Sequence, residues 1–344
     1  MKGEANEMKQ NYILGGYTKK VNDGLYQTNF DPETLTFTNT RRIAELTNPT
    51  FATLSENKKL LFALYQGEEL GGVIAFEKID DGWKELDRIA ATEKMGSHIE
   101  YRDETRTIYV SNYHEGALDV YSLDKDNNLW HIQRENHDQH PDKSNVHYAG
   151  VSHDDTMLFV ADLGQDTVST YGFKDDGQIT LLFELSLPKG SGPRHIVEHP
   201  NAPVIYVITE LSSEIYVIRF SVDGKLDIVQ QLDILHHGSR DASSAAIKMT
   251  SNGQYLYTST RYDNRLASFL VSQQDGTLEK IAEISAEVSV PRDFALDESQ
   301  RYLLVPDQDS NQMAIFERDL ETGELHFIKI NQTIPECVCI LPNY

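Results

Sequence analysis

The stretch Gly190–Leu211 carries, at the ends of two predicted strands, three ionisable side chains whose types suit acid–base chemistry. It reads GSGPRHIVEHPNAPVIYVITEL. Arg194 and His195 stand at the start of one predicted strand, and Glu210 follows the next one. Two adjacent antiparallel strands place the start of the first beside the end of the second. We therefore expect a guanidinium, an imidazole and a carboxylate to meet at one edge of a sheet.

The whole chain is built from one repeated unit. A short apolar run recurs about every 47 to 51 residues. Its seven copies are YILGGYT from Tyr12, LFALYQG from Leu61, IYVSNYH from Ile108, LFVADLG from Leu158, IYVITEL from Ile205, LYTSTRY from Leu256 and LLVPDQD from Leu303. One further β-type run precedes most copies and two follow each, joined by turn-rich links. Four antiparallel strands repeated seven times predict an all-β fold, a seven-bladed β-propeller forming a single domain over residues 1–344.

The first strands of the units follow polar loops, and the fourth strands alternate polar and apolar residues. Clear first strands are Pro49–Ser55, Val146–Ser152, Pro193–His199 and Pro291–Asp297. Strict alternation is typical of a half-exposed strand, so we expect the fourth strand of each unit on the outside of its blade.

The two ends of the chain predict how the ring closes. The N-terminal unit has a second run (Tyr12–Thr18), a third (Gly24–Phe30) and a fourth (Leu35–Glu45), but no first run. An unpaired first-type run, Ile334–Leu341, lies near the C-terminus. We expect it to be the innermost strand of a blade shared with the three N-terminal strands, because this pairing removes two open edges. Residues 1–10 are expected to form a flexible tail.

Composition excludes several classes of function. The formal charge is −23, and such a surface repels phosphate backbones, so no nucleic-acid partner is expected. No run approaches the roughly 20 apolar residues of a membrane span, and no signal peptide is visible. Cys337 and Cys339 have a spacing that does not suit a disulfide, which favours buried reduced thiols and a cytoplasmic location. The oligomeric state stays open.

Loops that lead into first strands and loops that leave second strands share one face of a propeller. Leading loops and strand starts supply His98, His147, Arg194, His195 and Arg292, and the exits supply Tyr65, Asn112, Tyr113, Asp162, Glu210, Arg261 and Asp307. Converging charges at the ends of inner strands need a reason, because such strands are mostly apolar or small.

Four of these residues are the predicted catalytic set: His147, Arg194, Glu210 and Arg261. Five more are predicted to bind the substrate or to support that set: His195, Asn112, Asp162, Arg292 and Asp307. For Asp162, and similarly for Asn112 and Asp307, the alternative is to hold adjoining loops through backbone N–H groups. His195 can equally position Arg194 or Glu210.

Other motifs carry weaker signals. The HDQH sequence at His137–His140 and the pair His236–His237 have metal-ligand residue types without a convincing ligand spacing, so solvated loops are the better interpretation. Ser212–Ser213 lacks a nucleophile-elbow pattern. We expect no metal and no cofactor.

At these residues the sequence resembles the seven-bladed propeller lactonase family, which includes bacterial 6-phosphogluconolactonases and fungal 3-carboxymuconate lactonizing enzymes. The similarity runs over all seven units and is most specific in GSGPRHIVEHPN, in the TEL ending at Leu211, in DLGQD and in PRDFALD…DQDSN. His147, Arg194, Glu210 and Arg261 match the family's proposed catalytic set. The chain departs from the family pattern at three positions: Asn145, Thr209 and Thr260.

The resemblance implies a small anionic lactone as substrate. In a hydrolase, Glu210 or His147 would take a proton from water and the other would donate to the leaving hydroxyl. Arg194 and Arg261 would hold a phosphate and the oxyanion. Two alternatives stay open: a muconate-type cycloisomerase that uses the same four residues, and a non-catalytic propeller that binds a small anion or peptide.

Overall fold

The computed structural model describes residues 9–137, 144–235 and 242–344, and every element in these ranges is a β-strand or a turn. The strands of the first half are β1 Gln10–Gly16, β2 Gly24–Asp31, β3 Thr36–Glu45, β4 Ala52–Leu54, β5 Leu60–Gln66, β6 Gly71–Ile79, β7 Gly82–Thr92, β8 His98–Arg102, β9 Thr107–Asn112, β10 Ala117–Leu123, β11 Leu129–Asn136, β12 Val146–Val151, β13 Met157–Asp162 and β14 Thr167–Phe173. Those of the second half are β15 Ile179–Ser186, β16 Pro193–Glu198, β17 Val204–Thr209, β18 Glu214–Phe220, β19 Leu226–Asp233, β20 Ser243–Met249, β21 Tyr255–Arg261, β22 Arg265–Val271, β23 Leu278–Ser285, β24 Ala295–Leu296, β25 Tyr302–Pro306, β26 Gln312–Arg318, β27 Leu325–Gln332 and β28 Cys337–Pro342.

The strands form seven four-stranded antiparallel sheets, as predicted. Six sheets use four consecutive strands, which we name blades 1 to 6 from β4–β7 to β24–β27. The seventh, the closing blade, has the order β28-β1-β2-β3, with Leu14 opposite Ile340. The predicted closure by a C-terminal strand is therefore confirmed.

The outer strands are half exposed, as the alternation predicts. In β15, β19 and β27 exposed residues alternate with partly buried ones over the second half of the strand. Two inner strands are shorter than predicted. The stretch Pro49–Ser55 contributes only β4, and Pro291–Asp297 contributes only β24. Before β24, Asp293 turns its carboxylate to the backbone N–H of Ile340 in the closing blade, at 3.0 Å, and the ladder of blade 6 begins after it.

The core lies between the blades, because each sheet buries both faces against its neighbours. Every residue of β17 is buried, and its side chains divide between two clusters. Ile205 and Val207 pack toward blade 3, whereas Tyr206 and Ile208 pack toward blade 5. Each sheet therefore depends on both of its neighbours.

Two features of the chain ends refine the predictions. Residues 1–8 of the predicted tail lie outside the described ranges, whereas Gln10 is buried in β1 and its amide donates to Asp297 at 3.0 Å. Cys337 and Cys339 are buried free thiols, and burial raises the pKa of both. No helix of the described chain is long and apolar enough to cross a bilayer.

Removal of the chain from Ile334 onward should abolish soluble folding. Val338 and Ile340 in β28 are each 2% exposed, and burying one such side chain contributes about 1.5–3 kcal/mol. The truncation also opens the edge of β1. We expect insoluble protein, or soluble protein without a cooperative thermal transition in circular dichroism, where the full-length chain melts in one step. A truncated chain with a native-like melt would contradict the closure.

Candidate functional site

All seven blades contribute to one cavity of about 240 Å³ at the centre of the ring. Its lining residues are Tyr17, Thr50, Phe51, Met95, Gly96, Ser97, Tyr113, His114, His147, Arg194, His195, Glu210, Arg261, Arg292, Asp293 and Val338. All four predicted catalytic residues are among them, together with Arg292 and His195. The catalytic roles themselves stay predictions.

β-bulges direct two of these side chains into the cavity. The register between β12 and β13 shifts at His147, and that between β16 and β17 shifts at Arg194. A bulge adds one residue to a strand and re-aims its side chain. Ser97 of blade 2 lies within hydrogen-bond distance of the carbonyls of both Val146 and His147, at 3.2 Å, and so supports the first bulge.

The turn before Arg194 requires glycine. Gly192 has a φ of 65°, and a Cβ there would lie 2.6 Å from Cγ of Leu211. The carbonyl of Gly192 accepts the backbone N–H of Glu210 at 2.7 Å. This contact brings the residue after β17 against the start of β16, as the antiparallel pairing predicts.

Glu210 joins the two buried arginines. Nε of Arg194 and Nη2 of Arg261 each lie 2.8 Å from the same oxygen, Oε2 of Glu210. Arg194 also donates to the carbonyl of Ala245 at 2.6 Å, and Arg261 donates to Oγ of Ser243 at 2.7 Å. The two guanidinium groups are thus fixed by blade 5 as well as by the carboxylate.

Electrostatics keeps all three of these groups charged at neutral pH. Burial alone would raise the pKa of Glu210, but the neighbouring guanidinium groups outweigh burial and hold it below its ordinary value. Burial, with the like charges of Arg292 and Arg261, lowers the pKa of Arg194 to about 9. Burial also lowers the pKa of Arg261.

Three buried histidines pack together beside this ion pair. The ring centroids of His147 and His195 are 5.2 Å apart, and those of His98 and His195 are 5.8 Å apart. Burial, followed by the positive charge of Arg194, lowers the pKa of His147 and His195 well below the ordinary value. Burial also lowers the pKa of His98, to about 3. These imidazoles are neutral at pH 7, and Nδ1 of His147 is buried without a partner among the described residues.

Three predicted residues do not line the cavity, and two of them hold loops. Asp162 accepts hydrogen bonds from Ser144 and from the N–H groups of Asn145, Gly164 and Gln165. Asp307 accepts from the N–H groups of Ser289, Asp309 and Ser310. Asn112 is fully buried beside Asp119. Asp162 and Asp307 therefore support the loops that lead to His147 and Arg292.

The remaining candidates lie elsewhere. Tyr65 packs under Arg88, outside the cavity. His137 contacts Asp162 and Tyr171, whereas His140 and the pair His236–His237 lie outside the described residues. Within the described ranges, no group of three or more His, Cys, Asp or Glu side chains is arranged to hold a metal ion.

The position of a residue within the repeated unit distinguishes the residues that line the cavity from those that hold loops. Asn112, Asp162 and Asp307 occupy the fifth position of the aligned seven-residue second runs, one residue before the position of the lining group. The next position holds Tyr17, Tyr113, Glu210 and Arg261, all of which line the cavity. A second set of equivalent positions, in the first strands, holds Thr50, Ser97, His147, Arg194, Ala245, Arg292 and Val338. Counting within the repeat would have found Tyr17, Thr50, Ser97 and Val338, which the sequence analysis missed.

Comparison with known proteins agrees with the seven-bladed fold. A family model described as "Lactonase, 7-bladed beta-propeller" matches residues 11–342. The chain belongs to this lactonase family.

Similar proteins align with this chain over nearly its whole length. It is 30% identical to a 6-phosphogluconolactonase of Bacillus subtilis (strain 168), covering 95% of this chain and 96% of the relative. It is also 30% identical to an uncharacterized protein of Lactococcus lactis, with 97% and 100% covered. A crystal structure of a Lactobacillus plantarum protein superposes with a TM-score of 0.91 at 30% identity, covering 97% of this chain and 99% of that one.

The neutral histidines predict a pH-dependent stability. Because their folded pKa values are lowered, the unfolded chain takes up more protons below about pH 6.5, so the free energy of unfolding is full above that pH and falls below it. Urea unfolding at pH 7.5 and pH 5.0 should show this loss, and His98→Phe should reduce it. His326→Gln, at an exposed position, should leave it unchanged. Equal pH dependence in wild type and His98→Phe would show that His98 is not the source.

Proposed function

We propose that this lactonase-family protein hydrolyses a sugar-acid lactone, with 6-phosphogluconolactone as the substrate, to the open-chain acid. One observation carries the proposal: two guanidinium groups converge on a single oxygen of Glu210 beside a neutral imidazole, inside a cavity. This combination offers donors for an oxyanion and an acceptor for a proton of water. The name of the Bacillus relative supports the choice of substrate.

Arg194 and Arg261 stabilise the oxyanion in this proposal. Attack of water on the lactone carbonyl moves negative charge onto the carbonyl oxygen, and buried guanidinium groups stabilise that charge strongly. Glu210 holds both groups in place through Oε2 before the substrate arrives. Preorganised donors need no rearrangement during the reaction, which is why such sites are effective.

His147 is the better proton acceptor of the two candidates. Glu210 is deprotonated, with a pKa below the ordinary value, and it is engaged by two cations. It therefore has no proton to donate, and its negative charge is already shared with Arg194 and Arg261. His147 is neutral, and its buried Nδ1 has no partner in the described chain. As the oxyanion forms, its negative charge offsets the field of the arginines and raises the basicity of His147.

His147 alone can both accept and return the proton that the reaction transfers. His147 takes a proton from the attacking water as the oxygen bonds to the carbonyl carbon. The tetrahedral intermediate then collapses, the bond to the ring oxygen breaks, and His147 returns the proton to the leaving oxygen. The product is the hydroxy acid. We further propose that the reaction takes place in the cytoplasm, which the two buried unpaired thiols favour.

Arg194→Ala should slow hydrolysis of freshly prepared 6-phosphogluconolactone by about 10²–10³-fold in kcat, because one oxyanion donor contributes about 2.7–4 kcal/mol. Acid release above the spontaneous rate measures this. Arg301→Ala is the matched control, since Arg301 is exposed and pairs with Glu317 away from the cavity. Wild-type kinetics in Arg194→Ala would rule out its role, and a wild type no faster than buffer on any lactone would favour a binding protein.

Imidazole rescue should separate the two proton-acceptor candidates. His147→Gly removes the acceptor and should lower kcat by about 10²–10⁴-fold. Added imidazole should restore part of this loss, because the small molecule can occupy the vacated position. Glu210→Gly should also be slow but should gain nothing from imidazole. Rescue by acetate of Glu210→Gly, without rescue of His147→Gly, would reverse the assignment.

A further inference from the structure

Arg292 is the third guanidinium of the cavity, and none of the carboxylates that the structure describes forms an ion pair with it. Arg194 and Arg261 both bind Oε2 of Glu210, whereas no hydrogen bond or ion pair within the described ranges involves Arg292. It occupies the same repeat position as His147 and Arg194 and lines the same cavity, from the loop that leads into β24. Its charge contributes to the lowered pKa of both Arg194 and Arg261.

The side chains that line the cavity carry more positive than negative charge. Three arginines face two lining carboxylates, Glu210 and Asp293. Asp293 is already engaged, because its oxygens lie 3.0 Å from the N–H of Ile340 and 3.7 Å from Nζ of Lys248. A cavity with excess positive charge in a chain of net charge −23 favours an anionic group on the ligand.

The ring of Tyr17, which lines the cavity, lies close to both Arg292 and Lys19. Cζ of Arg292 is 5.8 Å from the centre of the Tyr17 ring, and Nζ of Lys19 is 4.3 Å from it. Both distances are within the range of cation–π contacts. A half-buried guanidinium and an exposed ammonium are therefore both within reach of the Tyr17 phenol ring.

The loop that carries Tyr17 and Lys19 is held firmly. The carboxylate of Glu336 accepts the backbone N–H groups of Lys19, Lys20, Val21 and Asn22 at 2.8–3.4 Å. Glu336 is 4% exposed and immediately precedes β28. The closing strand thus fixes the group around Tyr17 relative to Arg292.

A phosphorylated lactone carries negative charge at two separate places during the reaction. The carbonyl oxygen becomes negative during the reaction, and the phosphate lies several bonds away. Arg194 and Arg261 meet at one oxygen, so they serve one end of the substrate. We propose that Arg292, with Tyr17 and Lys19, binds the phosphate of the substrate and selects phosphorylated over unphosphorylated lactones. This inference rests on the proposed lactonase function.

The test compares two substrates. The ratio of kcat/KM for 6-phosphogluconolactone to that for glucono-δ-lactone should fall about tenfold to hundredfold in Arg292→Met, mainly through KM for the phosphorylated substrate. Arg292→Lys should recover part of the ratio, and Lys19→Met should lower it by a smaller factor. Arg301→Met is the control and should keep the wild-type ratio. An unchanged ratio in Arg292→Met, or an equal loss on both substrates, would overturn the inference.

A measurement of phosphate binding tests the Arg292 site separately from the proposed hydrolysis. Inorganic phosphate should raise the Tm of the wild type and of Arg301→Met, and should leave the Tm of Arg292→Met unchanged. If the wild type hydrolyses neither lactone but shows this pattern, the proposed function fails and the phosphate site stands. If phosphate shifts the Tm of wild type and Arg292→Met equally, the site at Arg292 is excluded.

Discussion

The carboxylate of Glu210, held between two buried guanidinium groups, is the interaction on which the site depends. Like charges buried close together repel strongly, and only an opposite charge at hydrogen-bond distance makes such an arrangement stable. Glu210 supplies that charge to Arg194 and Arg261 through one oxygen. Burial, together with the same positive charge, keeps His147 neutral.

The propeller positions these groups through its repetition. Equivalent positions at the inner strands of six blades, and at the exits of the second strands of four blades, contribute side chains to one cavity. Bulges at His147 and Arg194 turn two of the side chains inward. The site is therefore built from several sheets, and each sheet is stabilised by both of its neighbours. The packing between blades, and not one strand or loop, holds the side chains of the cavity in place.

The fold could be predicted because its signal is periodic and strong. The shared blade followed from the first run that the N-terminal unit lacks and the unpaired first-type run near the C-terminus. The ion pair between Arg194 and Glu210 could also be predicted, since antiparallel pairing alone brings them together. The roles of Asp162 and Asp307 could not be settled, because an aspartate that accepts backbone N–H groups and one that faces a ligand have the same residue type. Bulges were not predicted either, as one extra residue in an irregular strand leaves no clear pattern in a single sequence.

The equivalent positions at the inner strands, which include His147, Arg194 and Arg292, affect how such a protein can evolve. The side chain at each of these positions comes from a different blade, and the backbone that carries it is stabilised by cores between sheets. Ala245 and Arg292 show the range, because one contributes a carbonyl and the other a long cation from the same place in the repeat. A single codon change at one position can alter substrate choice while the scaffold stays intact. Divergence in specificity then does not require divergence in fold.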